Sequence, residues 1–144
     1  MNKADLVREW FEIALDDFEV ASHLFKTMHK KPLEIICYHC QQAVEKALKG
    51  FLTNNDIEPP HLHDLENLRL MCMEHDRSFE GIQKACVKLK EYASTTRYPD
   101  RPEIVESDAM YALKETERIY AFCADLISEF RQKQEHEQTP QQSM

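Results

Sequence analysis

The chain has 144 residues, a formal charge of −8, two glycines, six prolines and five cysteines. That acidic balance argues against a broad basic surface gripping nucleic acid through its phosphates, and leaves room only for a local basic cleft. Scarce glycine and proline against 31% charged residues mean few turns, so one all-α domain is expected rather than a many-turned β protein. An odd number of cysteines, at positions that read as helix core, suits reduced thiols packing as small hydrophobes. The N-terminal stretch lacks the apolar core of a signal peptide and no apolar run reaches membrane-spanning length, so a cytoplasmic protein is expected.

The first helix is expected to start at Asn2 as cap, with Asp5 three residues on, and to reach about Met28. Its buried stripe is Leu6/Val7, Trp10, Ile13/Ala14, Phe18, Ala21, Leu24/Phe25 and Met28. Asp16 and Asp17 do not form a catalytic pair, because adjacent side chains on a helix point about 100° apart. His29, Lys30 and Lys31 make a basic turn, and Pro32 fits the first position of a second helix that runs to about Asn54. Two long helices joined by so short a turn pack as an antiparallel hairpin.

The second helix has two unlike faces. Leu33, Cys37, Cys40, Val44, Ala47, Leu48 and Phe51 fall on one side. Tyr38, His39, Gln41, Gln42, Glu45, Lys46 and Lys49 fill an arc of about 160° opposite, expected to face water. Cys37-x-x-Cys40 reads as core, since no second pair with matching spacing exists to complete a metal or redox site. The polar face is also a candidate ligand surface. Lys46 and Lys49 can contact phosphate, Gln41 and Gln42 offer paired donors and acceptors, and Glu45 can orient a base.

Asp56 to Leu62 reads as a loop stiffened by Pro59 and Pro60. His61 and His63 could begin a metal site with Cys72 or His75, but no clear third ligand exists, and neither metal nor cofactor is expected. A short third helix from His63/Asp64 to about Glu74 is capped by Asp64, and a fourth from about Phe79 to Ala93 buries Ile82, Cys86 and Leu89. Ser94 to Glu106 is the one long connection. In it Arg97, placed just before the proline-restrained Tyr98, presents a guanidinium on stiff backbone that can grip a phosphate or carboxylate, or pair with Asp100 or Glu45 to fasten the loop. The last helix opens at Ser107 and buries Ala109, Ala112, Thr116, Ile119, Cys123, Ile127 and Phe130. The domain is expected to span 1–131, with 132–144 too polar to pack and disordered.

Gln41-Gln42-Ala43-Val44-Glu45-Lys46-Ala47-Leu48-Lys49 resembles the signature helix of the HEPN family. His63-Asp64-Leu65 and Thr96-Arg97-Tyr98-Pro99-Asp100 come after it in the expected order, and the resemblance covers roughly residues 3 to 131. It implies an antiparallel up-and-down bundle of about five helices, three of them long. In HEPN ribonucleases, an Arg followed four to six residues later by a His cleaves RNA without metal, the Arg stabilising the charged transition state and the His moving a proton. That His is missing here, since Pro102, Glu103 and Ile104 stand at the positions after Arg97. Arg69 and His75 fit the spacing, but on one continuous helix they point about 120° apart, and they lie outside the loop that carries the motif.

The resulting expectation is a non-catalytic binding module for a nucleotide or RNA phosphate, using Gln41, Gln42, Glu45, Lys46, Lys49, Arg97, Tyr98 and Asp100. One alternative is an endoribonuclease using Arg97 with His39 or His63. The other is a structural dimerisation domain with the polar residues as its seam. The resemblance further implies a separately encoded nucleotidyltransferase as partner, as in toxin and antitoxin pairs, and a homodimer.

Overall fold

A computed structural model describes residues 1–94, 99–100 and 102–138, with side chains to residue 128 apart from that of Ser94. Five α-helices run in order: α1 (Lys3–Thr27), α2 (Leu33–Asn54), α3 (Leu65–Met73), α4 (Gln83–Ser94) and α5 (Glu106–Gln138), with a 3-10 segment (Arg77–Ile82) leading into α4. Together they make the all-α bundle expected, with α1, α2 and α5 as its long members.

Each start has a local cause. Asn2 Oδ1 accepts from the Asp5 N–H at 2.8 Å, which fixes the first turn of α1. Asp64 caps α3 by accepting from the N–H groups of Glu66 at 3.0 Å and Asn67 at 3.3 Å. In α5, Asp108 reaches back to the Val105 N–H at 2.9 Å, which starts the helix one residue before the expected Ser107. Pro32 stands as the cap of α2 rather than inside its first turn.

The end of α2 sets the course of the next loop. Asp56 takes φ 63°, and the N–H groups of Asp56 and Ile57 bond back to the carbonyls of Thr53 at 3.1 Å and Leu52 at 3.0 Å. This is a Schellman turn with aspartate where glycine is usual, an exchange Asp tolerates because its short polar side chain eases the left-handed conformation. It turns the chain sharply and sends Pro59 and Pro60 back along α1.

α2 is the centre of the bundle, packing against α1, α3, α4 and α5. Cys37, Cys40, Val44, Ala47, Leu48 and Leu52 are fully enclosed, and Phe51, Phe79 and Phe122 form a ring chain with centroids 4.6 and 5.0 Å apart. Gly50 lets α1 come close: a Cβ there would lie 2.6 Å from Phe11 Cε2 and 3.2 Å from Trp10 Cβ. On α1 the inner stripe is Val7, Ala14 and Ala21, whereas Leu6, Ile13 and Met28, expected inside, are substantially exposed.

Two further boundaries differ from the expectation. The segment from Phe79 opens as a 3-10 turn and becomes α-helical only at Gln83. The backbone of α5 stays helical through Gln138, past the domain boundary placed at 131, because Gln, Glu and Lys propagate a helix without needing to be buried. The Phe130 side chain, expected in the core, and residues 139–144 lie outside the described residues. Among the described residues, no helix is long and apolar enough to cross a membrane.

Candidate functional site

The polar face of α2 is largely covered, with only Tyr38 left exposed and His39, Gln42 and Lys46 partly buried. Gln41, Glu45 and Lys49 are buried, the Glu45 side chain being only 1% exposed. The expectation of a solvated face is therefore corrected, and the reason is tertiary: periodicity separates two faces, but α1 and the His63 loop cover the second one as well. Gln41, Glu45 and Lys49 each have a hydrogen-bond partner within the chain.

These groups form a closed ring of hydrogen bonds. Gln41 Nε2 donates to the His63 carbonyl at 3.0 Å, and Gln42 Nε2 donates to Gln41 Oε1 at 3.0 Å. Lys46 Nζ donates to Gln42 Oε1 and to Glu45 Oε2, both at 2.9 Å. His63 Nδ1 closes the ring on Glu45 Oε1 at 2.9 Å. An ionised carboxylate only accepts, so Nδ1 carries the proton, and in the neutral imidazole Nε2 is left as an acceptor. The His63 side chain is 75% exposed.

Lys49 Nζ approaches Glu45 Oε2 from the other side at 3.3 Å, and its ammonium lies 5.9 Å from the centroid of the Trp10 ring. Burial alone would push the Glu45 carboxyl up. Hydrogen bonds from Lys46 and His63 and the charges of Lys46 and Lys49 outweigh it, so the group is held below the ordinary carboxylate range. One carboxylate facing two ammonium groups leaves local positive charge in a chain whose net charge is −8.

Two cavities flank this network. A cleft of about 360 Å³ is lined by Tyr38, Gln41, Gln42, His63, Lys90 and Ala93. Lys90 is half-exposed and held at 2.8 Å by Asp64 Oδ2, so the residue that caps α3 also fixes the cleft's amine; that hydrogen bond is the chief cause of the lowered Asp64 pKa. The other cavity, about 490 Å³, lies between α1, the end of α2 and the Pro59–Pro60 loop.

The expected site is thus split. Gln41 and Gln42 line the cleft and Glu45 lies behind it. Lys46 is held in the ring, and Lys49 belongs to the other cavity. Asp100 is exposed, and Arg97 and Tyr98 lie outside the described residues. His39 pairs with Asp17 of α1, Nδ1 to Oδ1 at 3.0 Å, and lines neither cavity. Lys90 escaped the sequence reading because only the fold brings α4 beside α2. Its signal was its place one helical turn after Cys86 and beside Leu89, at the edge of a buried stripe.

The remaining candidates are structural. Arg69 is buried, donating to both oxygens of Glu66 at 2.6 and 3.1 Å, so its spacing to His75 is coincidental. All five cysteines are buried and free, and burial pushes the thiols of Cys37, Cys40 and Cys86 up to about 12. Among the described residues, no group of three or more His, Cys, Asp or Glu is placed to hold a metal ion.

An all-helical bundle with its polar network on a buried central helix defines the class: a small α-helical domain built around α2. The family model of the HEPN domain matches residues 7–127, and the chain belongs to that family. No individual curated protein matches it.

Proposed function

We propose that this HEPN domain is a binding module for a phosphate-bearing ligand, a nucleotide or an RNA phosphate, taken in the cleft between α2 and α4. The observation that carries the reading is the lining of that cleft: two carboxamides, an imidazole, a phenol and an amine converge on about 360 Å³. Lys90 supplies the charge for the phosphate, Tyr38 a ring on which a base can stack, and Gln41 and Gln42 the edge contacts. Glu45 does not touch the ligand. It holds Lys46 and His63 in place.

Isothermal titration calorimetry with AMP and with a short single-stranded RNA tests this, wild type beside Lys90→Ala and Gln42→Ala. Affinity about tenfold weaker in Lys90→Ala is expected, with a smaller loss on adding salt than the wild type shows. Equal affinity in all three proteins, or no binding heat in any of them, removes the reading.

One observation favours a second reading, metal-independent endoribonuclease activity. A buried carboxylate orients His63 and leaves Nε2 as an acceptor, which is how a proton-transferring imidazole is held. The Arg97 that this reading requires lies outside the described residues. RNA cleavage in excess chelator, lost in both Arg97→Ala and His63→Ala and leaving 2′,3′-cyclic ends, is its expected signature. Cleavage that survives either change would eliminate it.

A further inference from the structure

The cavity between α1 and the Pro59–Pro60 loop lies apart from the cleft assigned above and is built differently. Leu6, Trp10, Ile57, Pro59 and Pro60 give it apolar and aromatic walls. Lys49 is its charged residue of interest. The side chain is only 7% exposed, and among the described residues its ammonium donates to Glu45 Oε2 alone, at the long distance of 3.3 Å. An ammonium carries three donors, so N–H groups remain on a nearly buried cation that lines a cavity of about 490 Å³. An anion brought by a ligand would give these remaining donors a charged acceptor.

The remaining charges narrow the ligand. Lys3 and Asp56 pair with each other at 3.2 Å at the rim, and Glu58 adds a further acid. A phosphate dianion would meet Asp56 and Glu58 on its way in, whereas a single carboxylate meets them with half the charge. The walls favour a flat ring, because Trp10 offers an aromatic face and the two prolines offer stiff apolar edges that need no ordering. The volume falls in the range of small-molecule sites.

We infer that this cavity is a second binding site, for an aromatic carboxylate whose ring packs between Trp10 and the Pro59–Pro60 loop and whose carboxylate pairs with Lys49. The site is distinct from the phosphate cleft, since none of its lining residues is shared with it, although Glu45 bonds to Lys49 on one side and to His63 on the other.

Trp10 is the only tryptophan, so its indole N–H gives a single resonance reporting on this cavity. The test is titration of 2-naphthoate into ¹⁵N-labelled protein, with 2-naphthamide and AMP as comparison ligands. A saturable shift of the Trp10 signal is expected, with the amide at least about tenfold weaker. The same loss is expected for naphthoate with Lys49→Met, while Lys90→Ala leaves naphthoate binding unchanged. Equal binding of acid and amide to the wild type would overturn the proposal, and does so even where Lys49→Met fails to fold. So would a flat Trp10 signal, or AMP moving that signal at lower concentration than naphthoate. Loss of AMP heat in the calorimetric experiment bears on the cleft alone, so the two readings fail separately.

Discussion

Two buried ionic clusters in this bundle differ in what they leave open. In α3, Arg69 is the buried partner and is almost fully engaged: its guanidinium donates to both oxygens of Glu66, to the Phe79 carbonyl at 3.5 Å and towards Met73 Sδ, four contacts for five N–H groups. Neither of the cavities flanking α2 adjoins it. In α2 the buried partner is the anion, Glu45, and its cations are shared outwards, Lys46 to Gln42 and Lys49 to the Trp10 cavity. A charge whose donors are nearly all used, away from either cavity, fastens helices together. A charge whose partners keep donors in reserve can receive a ligand.

The largest effect expected from breaking this contrast is at Glu45. Glu45→Ala leaves Lys46, Lys49 and His63 without their common acceptor and should cost about 3–5 kcal/mol in urea unfolding. Gly50→Ala supplies a steric reference that touches neither cluster's charges. With Phe11 Cε2 only 2.6 Å from the new methyl, a cost of about 1–3 kcal/mol from overpacking is expected in the same assay. Arg69→Met should cost less than Glu45→Ala, roughly 1–3 kcal/mol, because the Glu66 it leaves behind is partly exposed and can rehydrate. AMP binding should be unchanged in it. Were Arg69→Met instead to abolish binding, the division into a fastening cluster and a receiving cluster would collapse.

A pH series sharpens the comparison further. Glu45 is held below the ordinary carboxylate range in the folded chain, so its stabilisation is fully present above the unfolded carboxylate value and is lost as pH falls through the folded one. The stability gap between wild type and Glu45→Gln should therefore be widest at neutral pH and narrow on acidification. The smallest change expected is Lys90→Ala. It lies within about 0.5 kcal/mol of wild type in stability, since the exposed Asp64 pair contributes little, while ligand affinity in the cleft falls.

Helix positions and most of the core were readable from the chain, because three- and four-residue spacings along the 3-10 segment, α4 and α5 locate Ile82, Cys86, Leu89, Ala109, Ile119 and Cys123 without knowledge of neighbours. α2 was half legible. The spacing separated its two faces correctly, but which face meets water depends on what other segments lie over it. The closing of the ring by His63, and the covering of Lys49 by Trp10, join residues far apart in the chain. The site therefore appeared as a list of polar residues, and its division between two cavities did not. The sharp return of the chain at Asp56, which creates the second cavity, carries no glycine to announce it.

The five thiols have a practical consequence. They are distributed over α2, α3, α4 and α5, all buried, and those of Cys37, Cys40 and Cys86 titrate near 12, so an alkylating reagent at neutral pH finds almost no thiolate while the bundle is closed. Each modification then records a moment when its helix has opened. Mass spectrometry of partly alkylated peptides, with no residue replaced, would rank the four helices by opening free energy. The same readout would tell whether a ligand in either cavity tightens α2 alone or the bundle as a whole.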